Sequence, residues 1–152
     1  MKKSEKKYNI PTIISYLGLL PFIFSGISIW FFLDPWKSFI FLALINYTLI
    51  ILTFVGAVHF GLAMYLNNNQ TRWYIWSVLP AIFVWISVMC GIGYDILILF
   101  FIIGFLLTFM IDKLSYKLQR VPLWYLKLRE KLTFTVILSL FSVYIYLIFN
   151  HF

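Results

Sequence analysis

Residues Ser38 to Leu66 read SFIFLALINYTLIILTFVGAVHFGLAMYL. The run contains no Asp, Glu, Lys or Arg. Its apolar residues follow one another without the strict alternation of a half-buried strand. A helix needs about 20 such residues to cross a hydrocarbon layer about 30 Å thick. In lipid the backbone must satisfy its own hydrogen bonds, so a run apolar on every face points to a membrane-spanning α-helix. This run exceeds the minimum, and the excess is expected to tilt or to extend into the interface.

Four more spans flank it. Thr12–Leu33 precedes it, interrupted by Pro21 and closed by Asp34-Pro35. After the polar stop Asn67-Asn68-Asn69-Gln70-Thr71 comes Trp73–Cys90, which contains Pro80. The tight turn Gly91-Ile92-Gly93 leads into Tyr94–Ile111, closed by Asp112-Lys113. A basic connector then leads to Leu132–Phe149. The expected fold is all-α, one domain over residues 1–152, an integral membrane bundle of five transmembrane helices. Lys2, Lys3, Lys6 and Lys7 resemble the n-region of a signal peptide. The apolar stretch after them is too long for one and lacks a small-x-small site, so an uncleaved signal-anchor is expected.

Composition supports this fold. Of 152 residues 63% are hydrophobic and 11% charged, against about 45–50% and about 25% in soluble domains. Mean hydropathy is +0.96. Too little polar surface exists to coat a soluble globule, which excludes a soluble domain, a disordered chain and a nucleic-acid-binding module. Cys90 is the single cysteine, so no internal disulfide and no multi-cysteine metal site can form.

The net charge of +7 is a topology signal. With the N-terminus cytoplasmic, Lys2, Lys3, Lys6, Lys7, Arg72, Lys113, Lys117, Arg120, Lys127, Arg129 and Lys131 all fall inside, and only Lys37 falls outside. The positive-inside rule therefore places the N-terminus in the cytoplasm and the C-terminus outside. Trp30 and Trp36 then sit at the outer interface, and Trp73, Trp76 and Trp124 at the inner one, levels that amphipathic rings prefer. Trp85 lies deep and is expected to pack.

His59 is the one ionisable side chain well inside an expected span, a functional hypothesis by default. Gly56 and Ala63 share its helix face and leave room for the ring or a close partner. Ala57 and Gly61, with Asn46 and Thr53, form a second face suited to close approach and hydrogen bonding across helices. Pro80 frees the carbonyl of Trp76, and Pro21 that of Leu17. The leading expectation is that His59 donates to a neighbouring helix's carbonyl, for which that of Trp76 is a candidate. A small-molecule or proton role and haem ligation are the alternatives, the last lacking a second ligand at a recognisable spacing. Asp95 and Asp112 mark helix ends and are expected to anchor them. No paired carboxylates at depth, Ser/His/Asp set, P-loop or dinucleotide fingerprint appears. No catalytic residue, metal ligand or cofactor is assigned.

The connector from Lys113 to Lys131 interleaves cations with Leu, Trp and Tyr. Pro122 is placed to open a helix that continues into the fifth span. Leu123, Trp124, Leu126 and Leu128 would rest among headgroups while Lys113, Lys117, Arg120, Lys127, Arg129 and Lys131 face lipid phosphates. Topology enforcement accounts for these cations; an acidic lipid or an acidic partner loop is the functional alternative. Leu20–Ser28 and Leu79–Ser87 match at six of nine positions, as a duplicated helix pair would.

Four segments together resemble the domain-of-unknown-function family 3429, small multi-pass membrane proteins that include transmembrane protein 69. They are Tyr16–Phe22; Phe54–Met64; Ser77–Ala81 with Trp85; and Pro122–Arg129 with Leu132-Thr133. Where the family shows Gly-Gly and His-Trp or Arg-Trp, this chain has Gly56-Ala57 and His59-Phe60. The resemblance implies a bacterial inner (plasma) membrane, or alternatively a mitochondrial inner membrane, and no established activity. The expected function is a non-enzymatic accessory, scaffold or assembly factor for other membrane proteins. The alternative is binding or transport of an apolar or haem-like molecule in an inner-leaflet pocket around His59. The expected partners are anionic headgroups and another membrane protein, with no nucleic acid.

Overall fold

The computed structural model describes residues 9–66 and 71–150. The N-terminal lysines and the Asn67–Gln70 stop lie outside the described residues. Six helices follow in order: α1 (Asn9–Leu17), α2 (Leu20–Phe31), α3 (Asp34–Tyr65), α4 (Thr71–Met89), α5 (Tyr94–Lys117) and α6 (Leu123–Asn150). Five segments are long and apolar enough to cross a membrane: Ile10–Phe31, Pro35–Tyr65, Thr71–Met89, Tyr94–Lys117 and Leu123–Phe149. Among the described residues there is no strand, and the expected five-span α-fold is present.

The first span is broken. α1 ends at Leu17, and Pro21 falls in the first turn of α2. Proline tolerates that position because its missing N–H would be unpaired there in any helix. The hydroxyl of Tyr47, on α3, donates to the Gly18 carbonyl at the break over 2.8 Å. Pro80 has the opposite outcome: α4 runs through it, with the ring buried. The duplicated-looking segments therefore fold differently.

The basic connector shrinks to residues 118–122. α5 continues past Ile111 to Lys117, and α6 begins at Leu123 instead of Leu132. α5 ends in a Schellman arrangement, with Arg120 N–H donating to the Ser115 carbonyl and Gln119 N–H to that of Tyr116. Gln119 takes the left-handed conformation, at φ 57°. Pro122 then precedes α6 and its carbonyl accepts from Leu126.

α2, α3, α4, α5 and α6 close into a ring in chain order, α6 returning to α2, with α3 touching α5 across it. α1 lies against α6. The core runs through Phe22, Leu44, Leu52, Ile98, Phe101, Phe105, Leu140 and Val143. In lipid there is no hydrophobic drive between helices, so close packing and interhelical hydrogen bonds hold the bundle. A Cβ on Gly56 would stand 2.6 Å from the Ser77 carbonyl oxygen and 3.0 Å from Pro80 Cγ. The bare backbone at Gly56 thus lets α3 and α4 meet. A Cβ on Gly104 would stand 2.7 Å from Leu52 Cδ2, across the ring. At the far end, Trp30 Nε1 donates to Ser142 Oγ (3.0 Å), which donates to the Gly26 carbonyl (2.9 Å).

Two expectations about faces are corrected. Asn46, Thr53, Ala57 and Gly61 point away from the bundle. Asn46 Nδ2 donates to Leu42 O and Thr53 Oγ1 to Leu49 O, so both are satisfied on their own helix rather than across helices. Trp85 is 64% exposed and faces the surrounding membrane instead of packing inside. An indole carries enough apolar surface to be stable against acyl chains.

Candidate functional site

Because successive helices alternate in direction, the end of α3, the end of α5 and the start of α6 meet at one end of the bundle. Each brings polar side chains to the interior. α3 supplies His59. α5 supplies Thr108, Asp112 and Ser115, spaced four and three apart and therefore on one face, all buried. α6 supplies Tyr125, Arg129 and Thr133, each four apart and also on one face.

Asp112 is the centre. It is 0% exposed, and His59 and Arg129 are 3% and 8% exposed. His59 Nε2 lies 3.0 Å from Asp112 Oδ1. Arg129 Nε donates to Oδ2 over 2.7 Å. The Tyr125 hydroxyl donates to Oδ1 over 3.1 Å. Both carboxylate oxygens are engaged, as an ionised carboxylate in a low-dielectric setting requires. Placing the imidazole proton on Nε2 makes His59 a neutral donor and leaves the Arg129–Asp112 pair to balance in charge. His59 Nδ1 and Arg129 Nη2 have no partner among the described residues.

These contacts correct three expectations. His59 meets a neighbouring helix as expected, but through the Asp112 carboxylate and not through a backbone carbonyl. Asp112 is not a surface anchor at a helix end; the extension of α5 by further turns carries it inside. Arg129 likewise turns inward instead of facing lipid phosphates. Tyr125 was not singled out from the sequence, and Asp112 only as a helix-end anchor. The signal for them was periodic: Thr108/Asp112/Ser115 and Tyr125/Arg129/Thr133 are polar stripes at helical spacing on otherwise apolar helices.

The remaining sequence candidates disperse. Gly56 and Pro80 belong to the α3–α4 contact, and Ala63 is fully buried. Gly61 faces open space. Pro21 starts α2, and Trp85 faces outward. Lys113, Lys117, Lys127 and Lys131 are exposed, with the Lys113 ammonium 4.6 Å from the Phe109 ring centre. Trp124 is half-buried and touches Tyr125 edge to face. The Arg120 guanidinium lies 4.0 Å from the ring centre of buried Trp73.

Beside the ionic cluster lies a cavity of about 600 Å³ bounded by α1, α2, α3, α5 and α6. Its wall is almost wholly apolar, from Ile10, Ile14, Phe22, Val55, Val58, Phe105, Leu128 and Val136 among others. Tyr125, Arg129 and Thr133 interrupt that wall; His59 does not line it. Thr133 Oγ1 has no partner among the described residues either. A second cleft, of about 690 Å³, lies between α4 and α5 along Pro80 and Gly104. Its one hydroxyl, that of Thr108, already donates to the Phe105 carbonyl.

A family model described as a protein of unknown function (DUF3429) matches residues 8–145. The chain belongs to this family. The matched region takes in α1 to α5, most of α6, and all four residues of the ionic cluster. No curated protein and no solved structure matches the chain.

Proposed function

We propose that this multi-pass membrane protein binds an amphiphilic small molecule in the cavity beside Arg129. The observation that carries this is the pairing of an apolar space with buried, unpartnered polar atoms on residues of its wall, Arg129 Nη2 and Thr133 Oγ1. Ligand sites typically enclose about 300–1,000 Å³ of mostly apolar wall with a few placed polar groups. The apolar body of the ligand fills the space under α1. Its head is a hydrogen-bond acceptor, such as a carbonyl, carboxylate or phosphate oxygen. Asp112 fixes Arg129 through Nε and so presents the rest of the guanidinium. His59 and Tyr125 hold Asp112, and their role is positioning. The distribution of basic residues supports a cytoplasmic N-terminus and, in this reading, an inner-leaflet site in a bacterial inner membrane.

The test is extraction and mass spectrometry of small molecules from protein purified in mild detergent. Val58→Phe fills the cavity and Thr133→Val removes one polar atom; neither touches Asp112. A molecule enriched over bulk lipid in the wild type and lost from both variants is expected. An identical extract from wild type and Val58→Phe overturns the proposal.

A second role, as an accessory to another membrane protein, is favoured by the outward face of Ala57 and Gly61. Nothing lies within 4 Å of a Cβ built on Gly61, and small residues four apart suit close helix approach. Gly61→Cys in a Cys90→Ala background should cross-link to a partner in native membranes. Absence of any cross-linked species removes this role.

A further inference from the structure

Thr48, Thr53, Thr108 and Thr135 each turn the hydroxyl back onto a carbonyl of their own helix. Thr133, 3% exposed, does not: its Oγ1 is buried without a partner among the described residues. One turn earlier on the same face of α6, Arg129 Nη2 is in the same condition. Both residues line the cavity. The charge beside them is already balanced. Arg129 pairs with Asp112 at 2.7 Å. Tyr125 donates its hydroxyl to the same carboxylate, and His59 Nε2 meets it at 3.0 Å. With its proton on Nε2, His59 is neutral. A second proton would put an N–H at Nδ1, which is buried with no acceptor among the described residues. Among the described residues the ionisable groups of the cavity wall are Arg129 and Tyr125, with no carboxylate, lysine or histidine. An anionic head would therefore add a charge that no free cation offsets, and an uncompensated charge in an apolar surrounding is strongly unfavourable. A neutral carbonyl oxygen has two lone pairs, enough to accept from both donors, and leaves the balance intact.

We infer that the molecule held in the cavity carries an uncharged carbonyl head on a hydrocarbon body, and that the site rejects ionised carboxylates and phosphates. The inference rests on the cavity being a ligand site and narrows what it takes. Arg129 Nη2 and Thr133 Oγ1 donate to the carbonyl oxygen. Asp112 sets the selection: it neutralises Arg129, so that the guanidinium offers a hydrogen bond without offering a free positive charge.

The full chain, purified in mild detergent, is incubated in mildly alkaline buffer with deuterated methyl oleate or deuterated oleate, which share one acyl chain and differ in the charge of the head. Mass spectrometry reads the label that co-elutes with the protein. Val58→Phe, whose ring fills the cavity, gives the label carried by the micelle. Above that background the wild type should retain methyl oleate over oleate by about tenfold or more, the scale set by an unpaired buried charge. Asp112→Asn leaves Arg129 uncompensated, so oleate should raise the unfolding temperature of that variant; an equal rise with methyl oleate overturns the role given to Asp112. Decylubiquinone separates two sources of the same carbonyl chemistry. Displacement of methyl oleate by it admits a quinone, and persistence of methyl oleate assigns the head to an acyl ester. Oleate retained by the wild type as well as methyl oleate, and lost from Val58→Phe, overturns the uncharged head and leaves the cavity as a binding site. Equal retention of every probe by wild type and Val58→Phe removes the cavity reading, and this inference with it.

Discussion

His59 and Asp112 are 53 positions apart in the chain, and their side chains meet at 3.0 Å inside the bundle. The contact joins the end of α3 to the end of α5, and through Arg129 and Tyr125 to the start of α6. One carboxylate therefore ties together three helices at the end of the molecule where most cations gather.

Asp112→Asn should destabilise the protein strongly. It leaves Arg129 buried without a counter-charge, and breaking a buried pair on one side costs about 3–5 kcal/mol. Asp112→Leu combined with Arg129→Met should recover much of that loss, since an apolar replacement of both partners is often neutral or better. Thermal unfolding of the detergent-solubilised protein measures both. If Asp112→Asn melts with the wild type, the ionic cluster contributes nothing to stability.

Gly56→Ala and Gly61→Ala should behave oppositely although both glycines lie on α3. The added methyl at Gly56 meets the Ser77 carbonyl oxygen at 2.6 Å, and backbone must shift. Overpacking of this kind costs about 1–3 kcal/mol. At Gly61 the methyl meets nothing within 4 Å, and the change should stay within about 0.5 kcal/mol. The difference between their unfolding midpoints is the measurement, and equal midpoints would contradict the α3–α4 contact.

Tyr47→Phe should loosen the break between α1 and α2. The lost hydroxyl leaves the Gly18 carbonyl without the donor it has at 2.8 Å. A net cost of about 0.5–1.5 kcal/mol is expected, together with faster amide exchange confined to residues near Gly18. Uniform exchange across the chain, or none, would show that the break does not depend on Tyr47.

Trp85 and Trp73 should differ in their access to lipid. Trp85 is 64% exposed and Trp73 only 2%. In variants that retain one tryptophan each, brominated acyl chains should quench Trp85 fluorescence strongly and Trp73 weakly. Equal quenching would place Trp85 inside the bundle.

The sequence by itself determined that this chain is a five-span helical membrane protein. Runs such as Ser38–Leu66 have one stable form in lipid, because every backbone group must bond within its own helix. Family membership was also legible, from ordered local segments around Pro21, His59, Pro80 and Pro122. Helix ends were less so: Pro21 and Pro80 have the same local chemistry, yet the helix breaks at one and continues through the other. The tertiary structure alone decided which polar groups meet. His59 had a plausible carbonyl partner nearby on α4, but a buried imidazole gains more from an ionised carboxylate. That carboxylate came within reach only because α5 ran on past Ile111. Which small-residue face of α3 packs was likewise a matter of register against α4, where Gly56 meets Pro80 and Gly61 meets no one. Long-range pairing depends on how whole helices stack, and that depends on the shape of every side chain along the contact.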